Sequence, residues 1–296
     1  MSIHRRSWLI AALAGTGSLT AEPSLAAAHA ADALAALARR RGGRLGVAVV
    51  DLGGGPGFAH RADERFAMCS TFKLMLAAAA LAQVEAGRWK LDDRLGWTAA
   101  DAVPHMPVAE GQDPKAGLPI GRLAEAAQKL SDNLAANLLL RHLGGPAAFT
   151  RWLREQGDAV TRLDRIEPAM NGVAAGDERD TTTPAAMAAN LVRLLRGPML
   201  AEPGRERLLG WMRETRTGQR RLRAGLPAGW TAGDKTGTGL DAHLPDRIND
   251  LAVFWPPGGR APIVIAAYYE GPRRGSAQVR PRDEAVLAAV GQLAAR

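Results

Sequence analysis

A single cysteine, Cys69, stands in a chain of 296 residues, so no intramolecular disulfide can form and the fold must rest on its core. The bland role for that thiol, a small buried apolar side chain, outweighs a nucleophilic one because no histidine lies close to it in sequence. No window after residue 30 reaches the ~18 uncharged apolar residues that a membrane-spanning helix needs. Six histidines are scattered without an H-x-x-x-H pattern or a Cys/His cluster, which excludes the familiar zinc arrangements; no metal and no cofactor is expected. Two tyrosines, five phenylalanines and seven tryptophans, with no basic block among them, offer nothing with which to read a nucleic acid. What is present is globular: 47% hydrophobic and 23% charged residues exclude a disordered chain, and the length allows one large domain or two interlocked ones. The net charge is +8, yet lysine is confined to positions 73, 90, 115, 129 and 235. The arginines that make up the balance are spread along the chain, which fits a compositional habit better than an acidic partner.

The first 30 residues have the form of an export signal. His4, Arg5 and Arg6 precede a modest apolar stretch, and a small-residue run ends at Ala28-His29-Ala30. Arg5-Arg6 also fits a twin-arginine leader. The remainder is expected in the periplasm or outside the cell, without membrane attachment and as a monomer.

Strand patterns occupy the two ends of that remainder. Residues 44–51 are β-branched and run into a Gly-Gly-Gly-Pro turn, and three further strands are expected over 230–236, 247–255 and 262–269 in an antiparallel meander. The middle is alanine- and leucine-rich at helical spacing, predicting helices over 71–86, 119–130, 132–143, 146–156 and 184–196. Strands at both ends need each other to form a sheet. The expectation is therefore an α/β fold, an antiparallel sheet flanked by N- and C-terminal helices over 31–41 and 281–295, with an inserted all-helical domain. The division runs 31–68 plus 213–296 for the α/β part and 69–212 for the helical part. Residues 158–183 show no period and are expected to be a functional loop.

Ser70-Thr71-Phe72-Lys73 opens a strong helix, and a spacing of three puts the hydroxyl and the amine on one face, where the amine can take the hydroxyl proton. Taken alone, the pattern is equally a capping serine followed by a surface lysine. Ser131-Asp132-Asn133 falls between two expected helices and Lys235-Thr236-Gly237 on a late strand. In that order and on those elements the three form the signature shared by class A β-lactamases and penicillin-binding proteins. The stretch Arg162-Leu163-Asp164-Arg165-Ile166-Glu167-Pro168-Ala169-Met170-Asn171 adds a local match, as do Asp177 to Asp180, Thr217-Gly218 leading to Arg221, and Asn249-Asp250.

On these residues the chain resembles a class A serine β-lactamase from about Ala31 onward, and the stretch from Arg162 is similar to the family's omega loop, about 162–180. The resemblance implies Ser70 as nucleophile attacking the lactam carbonyl of a small-molecule β-lactam, with the backbone N–H groups of Ser70 and Thr238 as oxyanion hole. It implies Lys73 or Glu167, the latter through a water, as acylation base. Ser131 would pass a proton from Lys73 to the lactam nitrogen, and Glu167 with Asn171 would hold the deacylating water. Lys235 and Thr236 would face the substrate carboxylate, Gly237 and Thr238 would also contact substrate, Asn133 would hold the substrate amide and Lys73, and His105 would stand at the cleft rim. Arg221 is implied as the carboxylate's guanidinium partner, with Arg247 in reserve. Arg165 and Asp180 are better taken as a salt bridge closing the neck of the loop. Cys69 resembles the cysteine of carbapenem-hydrolysing relatives, but position 239 is glycine, so their disulfide cannot form and carbapenem hydrolysis is not implied. The competing functions are a D,D-peptidase, which normally lacks the loop glutamate, and a sensor that is acylated and stays so.

Overall fold

A computed structural model describes residues 25–296, and the leader expected over 1–30 falls outside the described residues as far as position 24. Helix α1 (Leu25–Arg41) starts ahead of the expected position 31, because the alanines before that point continue the helical preference. β1 (Arg44–Asp51) and β2 (Phe58–His60) form a hairpin. The short β3 (Phe66–Ala67) leads into α2 (Phe72–Glu85). A pair of two-residue strands, β4 (Arg94–Leu95) and β5 (Leu118–Pro119), precedes α3 (Ile120–Lys129), α4 (Asn133–Leu143) and α5 (Pro146–Glu155). Next come β6 (Thr181–Thr182), paired with β3, and α6 (Pro184–Arg196) and α7 (Glu202–Arg213). The chain closes with β7 (Thr231–Gly239), β8 (Pro245–Trp255), β9 (Ile263–Arg274) and α8 (Pro281–Ala294).

The five-stranded sheet has the order β2-β1-β9-β8-β7 and is antiparallel throughout. Its period of two sorts the side chains between two cores. Leu45, Val47, Val49, Ile265, Ala267 and Tyr269 pack with Leu34 and Leu37 of α1 and Val286, Leu287 and Val290 of α8. Ala48, Leu251, Val253, Val264, Ala266 and Tyr268 face the helices of the middle segment. A sheet covered on both faces has nearly continuous apolar strands, which is why these segments read so strongly in the sequence. Gly46 lets the sheet sit close, since a Cβ there would lie 2.4 Å from the Phe66 ring and 2.9 Å from Pro184.

α2 is the hub of the helical layer, with every residue from Phe72 to Leu81 buried, as expected of a helix that is apolar on all sides. α7 had no counterpart in the sequence reading, because Pro203, Gly204 and Gly210 break the pattern and its buried face consists of Leu208, Leu209 and Met212 alone beside Gly204. β7 is an edge strand, and its free edge lies against the turn that opens α2, so the Ser70 turn and the Lys-Thr-Gly strand meet there. No helix among the described residues is long and apolar enough to cross a membrane.

Candidate active site

Ser70 sits in the 3₁₀ turn Cys69–Thr71 that runs directly into α2. Its hydroxyl does not cap the helix: it accepts a hydrogen bond from Lys73 Nζ at 2.9 Å and donates to Glu167 Oε1 at 3.1 Å. That removes the capping role that the four-residue pattern alone left open. Lys73 is 0% exposed, and its Nζ also donates to the Ser131 carbonyl at 2.9 Å and to Asn133 Oδ1, while lying 2.9 Å from Glu167 Oε1. A buried cation ringed by oxygens is compensated rather than stranded.

Glu167 is held at both main chain and side chain. Asn137 on α4 accepts from the Glu167 N–H at 3.0 Å and donates to its carbonyl at 2.9 Å, and Asn171 Nδ2 donates to Glu167 Oε2 at 2.6 Å. Burial pushes this carboxyl up, but the charge and hydrogen bond of Lys73, with those of Asn171 and Ser70, outweigh it and leave the group below its ordinary value of 4.5. A base that is ionised at neutral pH follows. The loop is tied at its neck, where Asp180 Oδ2 takes Arg165 Nε at 2.5 Å and Oδ1 takes the N–H groups of Asp164 and Arg165 at 2.7 and 2.9 Å. Asn137 was not singled out in the sequence. The available signal was a polar residue one helical turn beyond Asn133, on the same face of a helix whose other residues up to Leu140 are apolar.

From the other wall, Lys235 Nζ donates to Ser131 Oγ at 3.0 Å and to the Thr236 carbonyl at 2.8 Å. The Ser131 hydroxyl, expected to be served by Lys73, is hydrogen-bonded to Lys235 instead, while Lys73 reaches the Ser131 carbonyl. Burial, then the positive charge of Lys73, push Lys235 well below the usual lysine range, against the pull of Asp234 and Asp250. The Thr236 hydroxyl is paired with that of Thr217 at 2.7 Å, a cavity residue that the sequence reading quoted but gave no role. Gly237 permits the approach of β7 to the nucleophile's turn, since a Cβ there would lie 2.7 Å from the Met68 carbonyl oxygen.

Arg221 is 4% exposed, with Nη1 on the carbonyls of Gly237 and Asn249 at 2.9 and 2.8 Å and Nη2 on Thr238 Oγ1 at 2.7 Å. It meets the cavity through Nη2 while the rest of the fork braces β7 and β8. Arg247 is not available to a substrate at all: also 4% exposed, it donates through Nη1 to the Asn171 carbonyl at 2.7 Å and through Nη2 to that of Val173. The reserve role expected for it is overturned because its guanidinium is taken up by the two loop carbonyls, with Glu270 Oε1 3.6 Å from Nε.

A cavity of about 430 Å³ collects these groups, lined by Ser70, His105, Ser131, Asn133, Glu167, Asn171, Thr217, Arg221, Thr236 and Thr238. His105 stands at the rim with Nε2 2.7 Å from the Leu130 carbonyl. Four non-glycine residues at the site or its supports, Cys69, His105, Ser131 and Asp180, have positive φ, between 46 and 59°. Strain of this kind persists only where the surroundings enforce it. Cys69 is buried, which raises its thiol to about 12, and it faces Gly239 without a partner sulfur. Among the described residues no group of three His, Cys, Asp or Glu side chains could hold a metal ion.

A profile of the "Beta-lactamase enzyme family" matches residues 29–296. Beta-lactamase L2 of Stenotrophomonas maltophilia is 45% identical over 97% of this chain and 92% of its own length. The carbapenem-hydrolyzing beta-lactamase KPC of Klebsiella oxytoca is 40% identical over 99% and 97% respectively. Among solved structures, an ancestral class A β-lactamase is 53% identical with a TM-score of 0.82, over 89% of this chain and 98% of that one. A β-lactamase of Xanthomonas campestris superposes equally well at 44% identity, over 90% and 97%.

Proposed function

The chain belongs to the class A β-lactamase family and is a β-lactam hydrolase; from that premise we propose that it opens the ring through a covalent acyl-enzyme on Ser70 and clears that ester with a water activated by Glu167. The position of Ser70 Oγ carries this, between Lys73 Nζ at 2.9 Å and Glu167 Oε1 at 3.1 Å. A carboxylate can only accept and an ammonium only donate, so the serine proton leaves toward Glu167 while Lys73 stabilises the emerging alkoxide. Oγ then bonds to the lactam carbonyl carbon. The N–H groups of Ser70 and Thr238 receive the negative oxygen.

Collapse of the tetrahedral species breaks the C–N bond, and the departing nitrogen takes the Ser131 hydroxyl proton. Lys235, 3.0 Å behind that hydroxyl, replaces it. The substrate carboxylate lies against Lys235, Thr236 and Thr238, with the charge of Arg221 behind Thr238. Bound there, it restores the preference of Lys235 for its charged form. Asn133 faces the substrate amide and His105 the rim. Before the second half Glu167 gives up the proton it took from Ser70 and Lys235 regains one from solvent, which returns both to their starting charge; Glu167, held by Asn171, then takes a proton from water, the hydroxide attacks the ester carbonyl, and Ser70 leaves with that proton.

All of these side chains come from one chain, which supports action as a monomer. The basic start and small-residue run of residues 1–30 support export to the periplasm, where β-lactams are met. Glu167→Ala tests the assignment. With a penicillin, intact mass of this variant should show a Ser70 adduct that forms more slowly, because the acceptor of the serine proton is lost too, and then persists; rapid release of the adduct would remove Glu167 as deacylation base.

A further inference from the structure

Two arginines from opposite sides take three successive carbonyls of the omega loop. Arg165, at the neck, donates to Gly172 O at 3.1 Å, and Arg247, on β8, donates to Asn171 O at 2.7 Å and to Val173 O. Arg247 is buried, crosses beside Gly239, and has its Nε 3.6 Å from Glu270 Oε1, whose other oxygen is held by Arg44 at 2.9 Å. A planar fork fixed at its root and closed on two carbonyls leaves the loop backbone little freedom at 171–173. Asn171 is the residue whose amide fixes Glu167 Oε2 at 2.6 Å. One guanidinium thus ties the sheet to the backbone of the residue that aims the base.

We propose that Arg247 is a positioning residue for deacylation: by strapping the omega loop to β8 it sets Asn171, and through it the Glu167 carboxylate and its water. This rests on the acyl-enzyme reading above. Acylation depends less on the strap, because Ser70 holds Glu167 Oε1 directly and Lys73 holds it from beneath. Deacylation depends on it more, because the attacking water has the Asn171 side chain as a partner. The neck bridge of Arg165 and Asp180 survives removal of Arg247, so the loop stays attached while its middle slackens.

The test is the split between the two half-reactions in Arg247→Ala and Arg247→Lys, followed by steady-state kinetics and by intact mass during turnover of a penicillin. In an acyl-enzyme scheme kcat/KM contains only steps up to acylation, so a pure deacylation defect lowers kcat and KM by one factor and leaves their ratio alone. Arg247→Ala should slow deacylation by roughly tenfold, with kcat/KM within about twofold of the unmutated protein and an adduct visible in the steady state. Arg247→Lys, which keeps the charge but can reach one carbonyl at a time, should fall between. Should Arg247→Ala fail to fold, Arg247→Lys alone must show the same split. A loss in kcat/KM without adduct, or deacylation unchanged in the variants that fold, overturns the strap. If Ser70→Ala turns the penicillin over as fast as the unmutated protein, the acyl-enzyme reading falls and the strap with it.

Discussion

Asn137 offers a perturbation whose size follows from the coordinates. Its amide makes two hydrogen bonds to the main chain of Glu167, at 2.9 and 3.0 Å, and Glu167 is 2% exposed. Asn137→Ala deletes both. Each neutral bond contributes about 1 kcal/mol net, and a buried N–H or carbonyl left without a partner costs about 1–3 kcal/mol. Water entering the vacated space recovers part of that, which places the loss at about 2–4 kcal/mol. For a protein of this size the transition should fall by roughly 5–12 °C. The kinetic effect should be larger than the thermal one suggests, because a base displaced by ~1 Å can lose about a hundredfold in rate. Thermal unfolding by circular dichroism and the adduct fraction during penicillin turnover measure the two consequences. A transition within about 2 °C of the parent together with unchanged deacylation would refute the claim that α4 positions the base.

Two further outcomes follow from the same geometry. Glu167 lies below 4.5 in the folded protein because Lys73 and the hydrogen bonds outweigh burial, so its charged form is favoured by folding. The stability this contributes is present above the ordinary value and is lost as pH falls through the depressed one; kcat should hold down to pH 4.5, and an acid limb above pH 6 in the kcat profile would contradict the ion pair. Gly237→Ala places a methyl 2.7 Å from the Met68 carbonyl and 3.0 Å from Thr71 Cγ2. This should push β7 off the Ser70 turn, costing about 1–3 kcal/mol and lowering kcat/KM by at least about tenfold, and an unaffected kcat/KM would show that the strand edge has slack.

The nearly unbroken apolar runs of β1 and β9 made the sheet legible, because a strand covered on both faces leaves a dense apolar trace. α7 was invisible because its glycines and proline suppress the signal that its three buried apolar side chains would give. At the site, Ser70, Lys73, Glu167 and Lys235 stood out through spacing and local motif. The pairs Ser70 with Lys73 and Arg165 with Asp180 were legible too, whereas other partners were not. Lys235 rather than Lys73 holds the Ser131 hydroxyl, and Arg247 grips the omega loop instead of waiting for substrate. The first depends on how β7 meets a turn 104 residues away in the chain and the second on how β8 lies against a loop 74–76 residues away, which no local pattern encodes. Asn137 and the positive φ of Ser131 and Asp180 belong to the same class of three-dimensional information.

The central claim is that acylation of Ser70 is followed by catalysed release. A known concentration of residues 31–296 mixed with excess nitrocefin measures it, with hydrolysed product counted per enzyme. Continued colour development through many turnovers per enzyme, abolished by Ser70→Ala, is the result that the geometry of Ser70, Lys73 and Glu167 predicts. A single stoichiometric burst that leaves the unmutated protein permanently acylated would contradict it.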